Sequence, residues 1–352
     1  MSRFWSAVTH KLTPYVPGEQ PRHKRLIKLN TNESPVEPSP RVLEAIAATS
    51  GDMLRRYPDP ESVALRESLA RRFGLAPSQV FVGNGSDEVL AHAFLGLLQH
   101  PKPILFPDIT YSFYPVWAGL YGIEFERVPL DEDFRVDVAD YQRPNGGIIL
   151  PNPNAPTGVL LSLAEIRQLL EANRDSVVVV DEAYIDFGGE SAAALIPEFD
   201  NLLVVHTLSK SRALAGLRVG YALGQDELIE GLSRVKNCFN SYPLDVVAQR
   251  AAVASIEDEA WFQAGCQAVV DNREWLQQAL AGLGFRCLPS AANFVFASHP
   301  ERNAADLFQA LREQGIVVRY FDKPRINQYL RISIGSREDC EALIEALQAL
   351  LA

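Results

Sequence analysis

Five short apolar runs, each stopping abruptly at polar or small residues, constrain this chain more than any other feature. They are Val80–Val82, Pro103–Phe106, Gly147–Leu150, Val177–Val180 and Leu202–Val205. The segments that end them read GNGSDE (Gly83–Glu88), PDITY (Pro107–Tyr111), PNPNAPTG (Pro151–Gly158), DEAY (Asp181–Tyr184) and TLSK (Thr207–Lys210). Runs this short and continuous suit strands covered on both faces. Segments of helical period, at 62–73, 88–98 and 164–172, alternate with them. Ser162 opens the last of these with a capping box that closes on Glu165. Alternation of this kind predicts an α/β fold with a large, mostly parallel central sheet flanked by helices. Ligands of open α/β sheets bind beyond the carboxyl ends of the strands, so the five polar segments should face one pocket.

The pattern differs at both ends. Residues 1–35 are polar, proline-containing and weakly periodic, which reads as an arm. Residues 36–244 form the large α/β domain. Residues 245–352 read as a smaller C-terminal α+β domain. A long helical region over 246–283 opens it, with strands at 293–297, 316–320 and 329–334, a helix at 304–314, and a final helix from Ser336 that is capped through Asp339.

With 352 residues the chain can bury a large core, and its length alone suggests two domains. A net charge of −11 supplies no basic field, so neither nucleic acid nor an anionic membrane is an expected partner. The N-terminal residues carry no apolar core of signal-peptide type, and no apolar run approaches a membrane span, so a cytoplasmic location is expected. Cys238, Cys266, Cys287 and Cys340 form no C-x-x-C pair and read as structural thiols of a reducing compartment. The histidines show no ligand spacing, and no metal is expected.

Lysine is uncommon where a hydrophobic strand runs out, yet Lys210 stands there, with Arg218 following in the same glycine-containing segment. The preceding strand delivers Asp181 and Tyr184 at its own end. A lysine to bond an aldehyde, a carboxylate to keep a pyridinium protonated and a phenol to bond a ring oxygen together meet the needs of a pyridoxal phosphate site. Asp181 could instead be a cap or an ion-pair partner, but an acid ending a four-valine run needs a cation, which a pyridinium supplies. Gly83–Ser86 could be a plain strand–helix turn or an anion cradle built from the amides of a helix start. It is neither a dinucleotide fingerprint nor a P-loop, since the third glycine and the G-K-[ST] are missing. A hydrolase of S-x-x-K type is disfavoured, because Thr207 stands three residues before Lys210 and no G-x-S-x-G elbow occurs.

Together with LNTNESP (Leu29–Pro35), RRYPDP (Arg55–Pro60), TLSKSRALAGLRVGY (Thr207–Tyr221) and YLRISIG (Tyr329–Gly335), these blocks resemble the fold-type-I, pyridoxal-phosphate-dependent aminotransferases over nearly the whole chain. The histidinol-phosphate aminotransferase family is the nearest likeness. The resemblance implies that Lys210 holds the cofactor covalently, Asp181 pairs with its ring nitrogen, Tyr184 bonds its ring hydroxyl and Tyr111 stacks on its face. Gly85, Ser86, Asp87, Thr207, Ser209 and Arg218 would surround the cofactor phosphate, with Tyr57 reaching in from a partner subunit. Where the family often has Asn-Pro-Thr-Gly, Ala155 precedes Pro156; either Asn154 takes over the contact to the ring hydroxyl or that contact is absent.

Tyr15, Asn32, Arg319, Arg331 and, across a homodimer, Tyr242 would line the substrate pocket. An arginine there can grip a carboxylate or phosphate with two hydrogen bonds. The implied reaction exchanges an amino group between L-histidinol phosphate and 2-oxoglutarate in histidine biosynthesis. Threonine-phosphate decarboxylase and aromatic-amino-acid aminotransferase stand as alternatives. A cofactor-sensing transcription regulator is disfavoured, since no basic DNA-binding domain is added.

Overall fold

The computed structural model describes residues 2–16, 18 and 26–352. A short strand, β1 (Ile27–Lys28), precedes a seven-stranded sheet made of β2 (Val80–Asn84), β3 (Ile104–Pro107), β4 (Phe125–Val128), β5 (Ile148–Pro151), β6 (Val178–Asp181), β7 (Leu202–Thr207) and β8 (Val219–Gly224). Their spatial order is β2-β8-β7-β6-β5-β3-β4. The five predicted strands are all present. The central pairs β3–β5, β5–β6 and β6–β7 run parallel, as does β3–β4 at the edge. Every residue of β3, β5, β6, β7 and β8 is buried, so helices cover both faces, and this accounts for the continuous apolar runs.

Two strands escaped the sequence reading. β4 carries Glu126 and Arg127 at an edge and shows little apolar signal. β8 lies antiparallel between β2 and β7, and it returns from Lys210 without a crossover helix. Its Gly220 is required by a close approach, since a Cβ there would stand 2.2 Å from the Ser86 nitrogen. The glycine therefore lets the loop after β2 lie against β8.

The smaller sheet orders β12 (Arg319–Tyr320), β13 (Leu330–Ser333), β10 (Phe294–Ser298) and β9 (Arg286–Cys287), all antiparallel, while β11 (Ile316–Val317) pairs with β1 instead. Helices Ala304–Glu313 and Arg337–Leu351 and the long helix Glu259–Gly282 complete this unit around Leu276, Val295, Leu311, Ile332 and Leu343. The capping boxes at Ser162 and Ser336 both form.

The two cores divide the chain differently from a cut at 244/245. Helix Val246–Glu257 buries Ala248, Ala251, Ala252 and Ile256 in the large-sheet core, and the long helical region breaks at Asp258, which caps the next helix. Leu29, in the expected arm, belongs to the small-domain core. A slim alanine face can pack closely on either neighbour, so composition alone does not assign it.

Candidate functional site

The register of the parallel strands builds the site. Pro151 of β5 pairs with Asp181 of β6, and Asp181 pairs with Val205 of β7, so three strand ends finish in one row. Beyond that row lies a cavity of about 200 Å³ lined by Lys210, Asp181, Tyr184, Tyr111, Ser86, Asp87, Thr207, Ser209 and Arg218. Tyr15, Asn32, Arg319 and Arg331 close its other side. Residues from both sheets and from the arm thus meet in one space.

Lys210 Nζ donates to the Thr31 carbonyl at 3.1 Å. Removal from bulk water, aided by the charge of Arg331, pulls its pKa down to about 8, so a useful fraction of the amine is unprotonated near neutrality. Asp181 Oδ2 accepts from the Tyr114 hydroxyl at 2.9 Å, while Oδ1 is buried without a partner. Burial raises the Asp181 pKa to about 6, against the Tyr114 and Ala183 hydrogen bonds that favour its charge. An orphaned carboxylate oxygen inside a cavity awaits a donor. A protonated ring nitrogen is such a donor.

The anion cradle forms where Gly85 opens helix Gly85–Leu97. A Cβ at Gly85, whose φ is +77°, would stand 2.6 Å from Arg218 Nη2, so only glycine admits the guanidinium here. Arg218, itself at φ 53°, donates through Nη2 to Asp87 Oδ2 at 3.0 Å and through Nη1 to Ser209 Oγ at 3.4 Å. Thr207 and Ser209 hydroxyls lie 3.0 Å apart. Helix amides, two hydroxyls and a guanidinium converge as a phosphate requires. Tyr111, whose hydroxyl donates to Asp87 Oδ1 at 3.2 Å, supplies an aromatic wall between the cradle and Asp181. The residues present therefore fit pyridoxal phosphate.

The arm enters through Asn32, which is buried at φ 56°. Its Nδ2 donates to the Tyr184 oxygen at 3.0 Å and its Oδ1 accepts from Ser333 Oγ at 2.9 Å. Arg331 Nη2 donates to the Asn30 carbonyl at 2.8 Å, and its Nε is out of solvent with no partner. Arg331 and Arg319 lie on paired positions of β13 and β12, which puts two cations on one wall.

Four expected site residues, Gly85, Asn154, Tyr57 and Tyr242, are not among those lining the cavity, the last two being expected from a partner subunit. Asn154 does not line it; Ala155 and Pro156 do. The Asn154 amide is committed to the Ile109 carbonyl and the Thr157 hydroxyl, both at 3.0 Å, so it holds the loop together rather than reaching the ring. Tyr57 and Tyr242 stack on one another, centroids 4.8 Å apart, on the outer surface of the protomer. Tyr114, Thr31 and Phe321 were not anticipated. Tyr114 stands three residues after Tyr111, a spacing that a helix start also explains, so no separate signal marked it.

Residues 24–347 match the family model for aminotransferase class I and II. A histidinol-phosphate aminotransferase 2 from Dechloromonas aromatica (strain RCB) is 62% identical over 352 residues, covering 99% of each chain. Among solved structures, a histidinol-phosphate aminotransferase from Sinorhizobium meliloti in complex with pyridoxal-5'-phosphate superposes with TM-score 0.87 at 24% identity, over 99% of both chains. An L-threonine-O-3-phosphate decarboxylase from Porphyromonas gingivalis shares the fold too, with TM-score 0.78 at 24% identity, over 92% of this chain and 99% of that one. Fold alone therefore does not separate the two reactions, whereas full-length sequence identity does. With its lysine, acid, phenol and anion cradle at the carboxyl ends of one sheet, the chain belongs to the class I and II aminotransferases and, within them, to the histidinol-phosphate aminotransferases.

Proposed function

We propose that this enzyme exchanges an amino group between L-histidinol phosphate and 2-oxoglutarate, giving imidazole-acetol phosphate and L-glutamate in the biosynthetic direction of histidine synthesis. The observation that carries the substrate assignment is the pair Arg331 and Arg319 on the cavity wall that also holds Lys210. Histidinol phosphate offers a phosphate and no carboxylate, while glutamate offers carboxylates, so one cationic wall must serve both.

Pyridoxal phosphate, when bound, supplies an aldehyde that bonds amines and a ring that draws electrons from the substrate carbon. The remaining work falls to the chain. Lys210 Nζ would anchor the cofactor between turnovers, and its lowered pKa suits that nitrogen to take up and return a proton near neutrality. Asp181 Oδ1 holds the ring nitrogen protonated. Tyr184, oriented by Asn32, bonds the ring hydroxyl. Gly85, Ser86, Asp87, Thr207, Ser209 and Arg218 hold the phosphate, and Tyr111 flanks the ring. Tyr15 and Asn32 shape the substrate side.

The working form is a cytoplasmic homodimer with shared sites. Tyr57, 83% exposed, and Tyr242, 42% exposed, would enter the partner's cavity from their common stack. Among the described residues no helix is long and apolar enough to cross a membrane.

Half-reactions that follow cofactor absorbance test the substrate. Arg331→Ala should depress kcat/KM for both histidinol phosphate and glutamate by about 2–5 kcal/mol of transition-state stabilisation, as expected when a buried anion loses its partner, and should leave cofactor occupancy unchanged. Unphosphorylated histidinol should be a poor substrate and lose much less. Equal rates for histidinol and its phosphate, a silent Arg331→Ala, or carbon dioxide released from threonine phosphate as the main reaction would overturn the assignment.

A further inference from the structure

Tyr114 is fully buried and does not line the cavity, yet its hydroxyl reaches the carboxylate at the cavity's centre. Its ring is caged by Tyr111, Phe106, Phe94 and Trp117, with centroids 5.6, 6.0, 6.1 and 6.4 Å away. The contact with Tyr111 is perpendicular, at 90°, so the residue that braces the acid also braces the aromatic wall. Packing alone would be met by phenylalanine, and a buried hydroxyl is unfavourable unless it is bonded. The bond it makes is to Asp181 Oδ2, at 2.9 Å, and the other oxygen of that carboxylate is left buried and unpartnered.

A carboxylate tied at one oxygen presents the second in one direction. We infer that Tyr114 is a positioning residue whose hydroxyl sets the rotation and the charge of Asp181, so that a single aimed acceptor enters the cofactor site. Burial pushes the Tyr114 phenol well above its ordinary pKa, so it stays a donor across the working range. The other groups that face Asp181 are the Ala183 amide and His206, which favour its charge, Asp87, which opposes it, and the phenols of Tyr111 and Tyr184. Of the side chains among them, Tyr114 alone makes a hydrogen bond to the carboxylate. The inference rests on the pyridoxal phosphate assignment and is independent of which amine is the substrate.

Tyr114→Phe keeps the ring and its cage and removes only the hydroxyl. In the apoprotein the infrared carboxylate-to-carboxyl transition of Asp181, isolated by difference against Asp181→Asn, should move upward from about 6 by about one unit. Pyridoxal phosphate titrated into the apoprotein should bind about tenfold more weakly to Tyr114→Phe, whereas the same change in an Asp181→Ala background should alter affinity by less than about twofold. An unmoved midpoint, or equal loss in the two backgrounds, would assign Tyr114 to packing alone and overturn the inference. A wild-type apoprotein that fails to bind pyridoxal phosphate would overturn the cofactor assignment instead, a separate result.

Discussion

The carboxyl ends of β6 and β7 and the Tyr57–Tyr242 surface both carry residues proposed to serve the same chemistry, yet they are finished in opposite ways. At the strand ends most polar groups already have a protein partner, and among the buried atoms without a hydrogen bond are four of cavity-lining residues, Asp181 Oδ1, Arg331 Nε, Thr31 Oγ1 and Thr110 Oγ1. At the surface, Tyr57 and Tyr242 stack in water, with Leu54 and Phe239 also exposed among the elements that carry them. Large aromatics are ordinarily covered, so clustered exposure marks a place where something else completes the molecule. The difference teaches that one chain pre-organises its strand-end cavity with internal partners, while the exposed aromatic pair is where the proposed second copy would complete the rim of the site.

That contrast can be broken at its strongest point first. Lys210→Ala should fold and lose transamination by at least about 10⁴-fold, because attachment and proton transfer depend on one amine. Borohydride reduction and peptide mapping should label Lys210. Label at Lys236, which is buried against Glu61, would move the site elsewhere. The environment of that amine is then checked by pH. Covalent capture of an aldehyde by the apoprotein should rise with pH and level off near about 8, since a depressed pKa frees the amine early. A rate that climbs to pH 10 would show an ordinary, solvated lysine.

A smaller effect separates readiness for the cofactor from stability. Asp181 has a folded pKa raised to about 6, so as pH rises from its ordinary value of 3.8 through about 6 the apoprotein loses stability on its account. Asp181→Asn should therefore stabilise the apoprotein at pH 7 by about 1–3 kcal/mol while impairing cofactor binding. Thermal melts at pH 4 and pH 7 check the sign: the gain should shrink toward pH 4. A destabilised asparagine variant at pH 7 would contradict a strained, waiting carboxylate.

The smallest effect falls on the exposed face. Tyr57→Phe should lower activity by about tenfold through one lost phosphate contact. Mixing it with Lys210→Ala should recover partial activity in heterodimers, because each mixed dimer holds one intact site. An active monomer by light scattering would place Tyr57 outside the chemistry and erase the contrast between the two regions.

Much of the site was legible because strand-end chemistry is local. Lys210, Asp181, Tyr184 and Ser209 closely follow apolar runs, and a parallel sheet aligns such ends whatever the loops do. The sequence leaves the role of Asn154 open, because an asparagine's neighbours in space, here Ile109 and Thr157, decide whether its amide is available. Tyr114 was missed because a phenol at a helix start and a phenol on a carboxylate look alike in sequence. The placement of the helix after 245 is not legible in sequence, because it is alanine-rich and can serve either core; it packs on the large-sheet core.

By itself, then, the sequence determined five of the sheet's seven strands, the polar segments that end them, the cofactor those ends suit and the family, since each depends on residue type and spacing along the chain. Only the tertiary structure decided that the arm threads between the two sheets, with Asn32 bonding Tyr184 and accepting from Ser333. The same holds for the amine of Lys210 resting on Thr31, and for Arg331 and Arg319 sharing one wall. These are contacts between residues far apart in the chain. Directional hydrogen bonds and burial set them, and neither has a periodicity to read.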